Sequence, residues 1–451
     1  MRFIRWFGVL SFFVYSLLAN YYYLERATML DNAFQLCEII RNGDLAIQVN
    51  RYLAFFTQIF PFIGYKLGLE LDTIARIYTL SFPIIYGLCF VLIAFVFSNK
   101  RISILFLLYH YLIVSHSFFW PQCELVQGVS WFFVYVALLE WLLVKVRFNW
   151  FTIFFGLLFL VSLVFMHPLL FFVGTFYFAN QILKDVKNRK FYLIQFVALI
   201  TITIVKKLFF ENAYDDNFTK KLLEFISNFS QERKGIKIET IYSNFISNYI
   251  FLNLYLTIGF CYLLYIKKWW QSALMLFYSV GFLLLIYIAY EIQMDLFYAE
   301  VQYNLISLFI SVVLIDYFSF QSRPTITKLF LIVLIIGFCF RVINVSRIYT
   351  KRLAYLDSIV NKYYGEKVLL KEDHYNRNIL KLSWGSSFET WLLSTIRKGK
   401  SSSIIVTYQS HKYLNDLNKK NSWITEWETI DYDKLNPKYF LFKDTSCYVL
   451  K

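Results

Sequence analysis

The chain has 451 residues, of which 58% are hydrophobic and 21% aromatic, and it carries a formal net charge of +15. Its mean hydropathy of +0.51 excludes an ordinary soluble globular protein and predicts an integral membrane protein. In a soluble protein the positive charge would suggest nucleic-acid binding, but lysine and arginine also accumulate at the cytoplasmic ends of membrane helices. We therefore expect the lipid bilayer as a partner and expect no nucleic acid.

Several kinds of chemistry have no signal in the sequence. The six cysteines stand singly without a CxxC pair, so neither a structural zinc site nor a disulfide framework is predicted. No P-loop, GxSxG, HExxH or GxGxxG motif occurs. ATP hydrolysis, serine hydrolysis and zinc proteolysis therefore have no support.

The first apolar run extends from residue 3 to about residue 23 and includes Arg5, with Arg2 just before it. It resembles a signal peptide, but it lacks a small-residue cleavage site and ends in three tyrosines typical of an interfacial aromatic belt. We predict an uncleaved first span with a cytoplasmic N-terminus.

Residues 24–73 form the predicted first outer loop. Two apolar stretches lie within it, over residues 30–40 and 52–69, and the second is interrupted by proline, glycine and lysine. Stretches this short are typical of interfacial or re-entrant helices rather than of membrane spans.

Ten further apolar runs follow, separated by loops that alternate between basic and acidic or mixed composition. Five cover residues 74–97, 102–119, 150–166, 169–183 and 329–345, and five others end near Lys145, Lys206, Lys267, Glu291 and Arg323. Because basic loops mark the cytoplasmic side, we predict an all-α polytopic membrane domain at 1–346, with about 11 transmembrane helices and a long outer loop at 207–246. The basic pair Lys206-Lys207 falls on the outer side, against this rule.

From residue 347 the composition becomes that of a soluble protein. The patterns predict helices over 347–364 and 388–397 and short strands over 368–370, 404–408, 439–442 and 448–450. About 100 residues suffice for one small module, so we predict an extracytoplasmic α/β domain at 347–451.

Carboxylates are concentrated just beyond the first span. Glu25, Asp31, Glu38 and Asp44 all lie in the predicted first outer loop. At the membrane interface a carboxylate could bind a divalent cation together with a lipid-linked phosphate, or it could deprotonate a sugar hydroxyl. The alternative is that these acids solvate and cap a surface helix, with Asp31 as the N-cap.

The order of a first span, an acid soon after it, two interfacial helices and a second span resembles glycosyltransferases of the GT-C superfamily. The residues that carry the resemblance are Asp31-Asn32-Ala33-Phe34 and the run from Arg51 to Gly68. It implies an enzyme of the bacterial inner (plasma) membrane that moves a sugar from a polyprenyl-phosphate or polyprenyl-diphosphate donor to a glycan, lipid or protein acceptor outside the cytoplasm.

The resemblance also implies roles for individual acids. The acid that follows the first span maps onto Asp31, with Glu25 as the other candidate, and a second acid, Glu124, would assist as a metal or acceptor ligand. Asn32 and Ala33 replace the more common acidic partners, so a requirement for Mg²⁺ or Mn²⁺ at Asp31 and Glu124 stays open. Glu124 could equally cap a helix.

Further candidates lie in other outer loops. Arg51, Lys206 and Lys207 are candidates for the donor phosphate, although interfacial cations also occur without function. The resemblance places an Arg-Tyr pair near the start of a late span, where this chain has Gln302. The remaining candidates, His167, Glu291 and Glu300, are weaker; His167 precedes a proline and fits a turn residue.

Two other classes of protein compete with this hypothesis. One is a non-catalytic membrane protein such as a transporter, flippase or assembly scaffold, which would favour midplane charges and repeated halves. The other is a polysaccharide polymerase or ligase, which would favour arginines in a large outer loop, whereas the loop 207–246 has only Arg233. Glu140, far along the fourth span, is predicted to have a structural partner.

Overall fold

The computed structural model describes residues 1–145, 150–210, 249–289, 296–317 and 324–451, with four further positions between 220 and 227. Predictions that fall on the other residues lie outside this description. They include Glu291 and most of the predicted outer loop 207–246.

Helices make up most of the described chain. They are α1 (Arg2–Tyr21), α2 (Tyr23–Ala27), α3 (Asp31–Asn42), α4 (Phe55–Lys66), α5 (Leu71–Val91, extended by a π-turn at Leu92–Val96), α6 (Lys100–Tyr111), α7 (Glu124–Lys145), α8 (Trp150–Met166), α9 (Leu170–Lys184), α10 (Arg189–Phe209), α11 (Ile250–Tyr265), α12 (Trp269–Ala289), α13 (Leu296–Tyr317), α14 (Pro324–Lys362) and α15 (Ser386–Lys398). The two interfacial stretches predicted after the first span correspond to α3 and α4.

Seven of the described helices are long and apolar enough to cross a bilayer, namely α1, α5, α7, α10, α12, α13 and α14. They indicate a membrane protein. Helices α8 and α11 are apolar but shorter, and α6 and α9 have 12 and 15 residues. The prediction of eleven full spans is therefore not confirmed.

Helix α1 shows how packed and outward-facing residues separate. Its large exposed apolar side chains are Trp6, Leu10, Phe13 and Leu17. They recur every three or four residues and so form one stripe on a face suited to lipid. The other face packs on α5, where a Cβ at Gly8 would lie 2.0 Å from the ring of Phe90. Only glycine permits so close an approach.

The two ends of the bundle carry different groups. Helices α7, α9 and α13 begin at the end that bears the C-terminal domain, which we call the domain end, and finish at the opposite end. There Arg101 binds Glu140 at 2.7 Å and Asp316 at 2.5 Å, and Lys184 binds Asp316 at 2.6 Å. The prediction of a structural partner for Glu140 is confirmed.

The predicted third span is interrupted near the domain end. Helix α6 stops at Tyr111, and the following irregular segment is held by the buried carboxylate of Glu300 from α13. Glu300 accepts the backbone N–H groups of Ser115 (2.7 Å), His116 (3.0 Å) and Ser117 (2.8 Å), and both serine hydroxyls also donate to it. Irregular backbone at membrane depth requires such internal partners.

Helix α14 is a single helix of 39 residues. It contains both the predicted eleventh span and most of the separate helix predicted over 347–364. The predicted domain boundary at 346/347 therefore falls inside a continuous helix, which leads from the bundle into the C-terminal domain.

The C-terminal domain contains β1 (Lys367–Leu370), β2 (Ser403–Val406), β3 (Ser422–Ile424), β4 (Thr429–Asp431) and β5 (Val449–Leu450). Strands β2, β1 and β5 form a parallel sheet in that order, covered by α15, and β3 pairs with β4 in an antiparallel hairpin. The small α/β module is as predicted, except that the β3–β4 hairpin was not predicted and that 439–442 differs. That segment makes only an isolated bridge from Phe442 to Ser401, so the strand prediction there was wrong.

Replacing Glu300 with alanine would leave three backbone N–H groups without their acceptor. An unsatisfied buried donor costs about 1–3 kcal/mol, so we expect a large fall in the thermal unfolding temperature of the detergent-solubilised chain. The unfolding temperature of Glu300→Gln should lie between those of wild type and Glu300→Ala, because its amide oxygen still accepts a hydrogen bond. A Glu300→Ala variant that unfolds at the wild-type temperature would contradict this role.

Candidate functional site

A cavity of about 640 Å³ lies between the domain end of the bundle and the C-terminal domain. Its lining residues are Asp31, Phe34, Gln48, Val49, Arg51, Trp120, Gln122, Cys123, Glu124, Leu125, His167, Leu169, Tyr298, Val301, Gln302, Trp384 and Trp427. The volume is in the range of small-molecule sites, and the few charged groups stand among apolar and aromatic ones, as is usual for such sites.

The backbone that presents Asp31 is held by the C-terminal domain. Leu30 has φ +37° and ψ −107°, a conformation that L-residues rarely adopt. Its N–H donates to Glu389 of α15 at 2.9 Å, and Glu389 is buried and paired with Arg352 of α14 at 2.7 Å. A Cβ at Gly385 would lie 3.0 Å from the Cα of Leu30. Several parts of the chain thus fix the residue that precedes Asp31.

Asp31 is the first residue of α3, and its carboxylate points to side chains from distant parts of the chain. It accepts Trp120 Nε1 at 2.9 Å and the Tyr298 hydroxyl at 3.3 Å. Leu30 occupies the N-cap position and no side chain caps the helix, so the interpretation of Asp31 as an N-cap was wrong.

The pKa of Asp31 is raised to about 7, mainly because burial disfavours the charged carboxylate and also because of the nearby Glu124 charge. The two hydrogen bonds from Trp120 and Tyr298 oppose this rise. A carboxylate with a pKa near neutrality can exchange a proton at physiological pH.

Glu124, the first residue of α7, forms a buried ion pair with Arg51 at 3.0 Å. It also accepts Gln122 Nε2 at 2.9 Å. Just before Arg51, Val49 and Asn50 have φ values of +52° and +60°. A β-branched residue such as Val49 rarely adopts a positive φ, and strained backbone of this kind is concentrated at functional sites.

His167 lies in the short connection between α8 and α9. Burial, together with the positive charges of Arg51 and Lys206, lowers its pKa well below the usual value, so the imidazole is neutral at physiological pH. The N–H of Leu169 donates to Nδ1 at 3.1 Å, which places the imidazole proton on Nε2. Lys206 donates to the Val164 carbonyl oxygen at 3.3 Å and does not line the cavity.

Aromatic rings close the cavity on the side of the C-terminal domain. Phe34 of α3 contacts Trp427 with ring centroids 4.5 Å apart, and Trp427 contacts Trp384 at 5.4 Å. Sequence analysis did not identify either tryptophan, because their partners lie more than three hundred residues earlier in the chain. Trp427 is 58% exposed, which is unusual for so large an apolar ring.

Other predicted site residues lie elsewhere. Glu25 accepts the Thr350 hydroxyl at 3.1 Å and lines a second cavity with Asp72 and Arg397, away from Asp31. Glu300 binds the interrupted segment after α6 and does not line the cavity. Lys207 is exposed and does not line it either. Glu291 lies outside the described residues.

Asp31 and Glu124 are also the candidate ligands for Mg²⁺ or Mn²⁺. Within the described part of the chain, no group of three His, Cys, Asp or Glu side chains is placed to hold a metal ion. Both oxygens of Glu124 already bind Arg51 and Gln122, which leaves Asp31 as the carboxylate open to a ligand. A requirement for Mg²⁺ or Mn²⁺ stays a prediction from the sequence.

Comparison of the chain with models of protein families, with curated proteins and with solved structures finds no match.

Gly385 offers a test of the contact that holds Leu30. In Gly385→Ala the new methyl group would meet backbone 3.0 Å away, so Leu30 or α15 must shift. We expect the apparent pKa of Asp31 to fall, because a displaced carboxylate gains solvent. The pKa can be followed by the pH dependence of tryptophan fluorescence, since Trp120 donates to Asp31.

Gly281→Ala on α12 is the matched control, because its added methyl group meets nothing within 4 Å. It should leave the titration unchanged. An unchanged titration in Gly385→Ala would show that the contact does not position Asp31.

Proposed function

We propose that the protein is a membrane glycosyltransferase of the GT-C type. It transfers a sugar from a polyprenyl-phosphate or polyprenyl-diphosphate donor to a glycan, lipid or protein acceptor, and the reaction takes place in the cavity at the domain end.

One observation carries this proposal. Asp31, Glu124, Arg51 and His167, from four separate segments, line a single cavity with three tryptophans. A carboxylate of near-neutral pKa supplies a base, the arginine and the histidine N–H suit a phosphate, and aromatic faces suit the apolar faces of a sugar ring. The cavity also lies beside interfacial helices, where the head group of a lipid would reach it.

The proposed reaction needs only these side chains. The acceptor hydroxyl attacks the anomeric carbon and transfers its proton to Asp31, and a new glycosidic bond forms. The bond between the anomeric carbon and the donor phosphate oxygen breaks, and the electron pair stays on that oxygen. Arg51 and the Nε2–H of His167 stabilise the developing negative charge. Trp120 and Tyr298 hold the base in position.

The charges of the two ends support one orientation in the membrane. The opposite end of the bundle carries basic residues such as Arg5, Lys100 and Lys268, which favours a cytoplasmic location for that end. The cavity and the C-terminal domain would then face the extracytoplasmic side of a bacterial inner membrane, with the N-terminus inside.

Asp31→Asn removes the proposed base while keeping the shape of the side chain. We expect transfer to fall at least about a hundredfold, the usual contribution of a general base. The measurement is release of polyprenyl phosphate from polyprenyl-phosphate-linked hexoses by the reconstituted chain, together with surface glycan in a deletion strain that expresses the variant.

Asp44→Asn is the matched control, because Asp44 is an exposed acid of the same outer segment that accepts the backbone N–H of its neighbour Leu45 and does not line the cavity. It should retain activity. Asp31→Asn should not unfold more easily than wild type at pH 8, because it removes a carboxylate whose ionisation between pH 4 and pH 7 costs stability, on the order of 4 kcal/mol. Normal glycan from a stable Asp31→Asn chain would reject the assignment, and binding of the donor without transfer would favour a flippase or transporter.

Glu124→Gln tests the electrostatic coupling between Glu124 and Asp31. Loss of the Glu124 charge stabilises ionised Asp31, so the pKa of Asp31 falls below about 7 and activity should persist to lower pH. The measurement is the acidic midpoint of the pH profile of kcat/KM, whatever the maximal rate. Glu38→Gln is the control, because Glu38 lies on α3 with Asp31 but is paired with Arg41. It should leave the midpoint in place. A midpoint that moves upward in Glu124→Gln contradicts the coupling.

A further inference from the structure

Gln302 is a polar side chain of the cavity that the reaction above does not use. It lies on α13, 6% exposed, and lines the cavity. Its Oε1 is buried and has no hydrogen-bond partner among the described residues. It stands four residues after Tyr298, so both side chains occupy the same face of the helix, and Tyr298 donates to Asp31.

The neighbouring polar groups of α13 differ from Gln302. Each of them has a partner. Glu300 accepts N–H groups of the interrupted segment, Asn304 donates to the Tyr109 carbonyl oxygen at 2.9 Å, and Ser311 donates to the Ser307 carbonyl oxygen at 2.7 Å. A buried acceptor without a donor costs free energy, and native proteins rarely keep one without a reason. Because Gln302 lines the cavity, a ligand bound there would supply the missing donor.

Because Gln302 Oε1 is a hydrogen-bond acceptor, only some ligand groups can be its partner. A carbonyl oxygen needs a donor, and a phosphate diester has no proton at neutral pH, so the phosphate of a lipid donor does not satisfy it. A sugar hydroxyl or an amide N–H does. The groups suited to phosphate, Arg51 and His167, belong to the loop before α4 and to the α8–α9 connection, whereas Gln302 shares its helix face with Tyr298 and so lies toward Asp31.

We propose that Gln302 binds a hydroxyl group of the transferred sugar and so contributes to the choice of sugar. This inference rests on the proposed function. The sugar ring then lies between α13 and the tryptophans of the C-terminal domain, with its phosphate toward Arg51. Asp31 lies beside the ring, where the incoming acceptor hydroxyl can reach it.

The test compares two probes with the detergent-solubilised full chain, polyprenyl phosphate and the same lipid phosphate carrying a hexose. Wild type should bind the hexosyl form more tightly than the bare phosphate. Gln302→Leu should lose roughly tenfold in affinity for the hexosyl form and keep its affinity for the bare phosphate, as expected for loss of one buried hydrogen bond.

Gln181→Leu is the matched control. Gln181 is also buried, and its Nε2 has no partner among the described residues, but it lies near the opposite end of α9, away from the cavity. It should bind both probes as wild type does, and neither variant should unfold more easily than wild type.

The outcomes separate this inference from the proposed function. Equal loss for both probes in Gln302→Leu, or no loss for either, would overturn the role of Gln302 alone. If wild type bound neither probe, the proposed function would fall and the inference with it.

Discussion

The cavity depends on one interaction, the hydrogen bond from the N–H of Leu30 to the carboxylate of Glu389. Glu389 is buried and is also paired with Arg352, so the bond joins the first outer segment, the long helix α14 and the C-terminal domain. Removal of either partner of a buried charge pair is strongly destabilising, which keeps this junction intact. It holds Leu30 in its rare conformation, and Asp31 follows directly. The position of the proposed base is therefore set by residues that come more than three hundred positions later.

Two buried charged clusters of the bundle are well supplied with partners, and the cavity differs from them in this respect. At the opposite end Arg101, Glu140 and Asp316 form one ion-pair network, and Glu300 is surrounded by donors from the segment after α6. In the cavity, burial raises the pKa of Asp31 and Gln302 Oε1 has no donor among the described residues. Such arrangements reduce stability, and proteins keep them where a ligand supplies the missing interactions. This contrast, more than any motif, favours a site at the domain end.

Sequence reasoning succeeded where the signal is local and failed where it depends on distant contacts. Apolar runs and charge predicted many of the helices and the small α/β module. The resemblance selected Asp31, which lines the cavity and whose role stays a prediction. The hairpin β3–β4 has strands of only three residues and was not predicted. Glu25 and Glu300 carry a carboxylate as Asp31 does, and only tertiary structure shows that they face other partners. The tryptophans of the C-terminal domain were missed for the same reason.

The unbroken course of α14 has a geometric consequence. At about 1.5 Å per residue the helix is roughly 58 Å long, well beyond the roughly 30 Å of a hydrocarbon core. It therefore sets both the distance of the C-terminal domain from the bundle and its rotation about the helix axis. One added residue would raise the domain by about 1.5 Å and turn it by about 100°, which would carry Trp384 and Trp427 off the rim of the cavity. Length variation in this helix is thus tolerable only in near-integral numbers of turns.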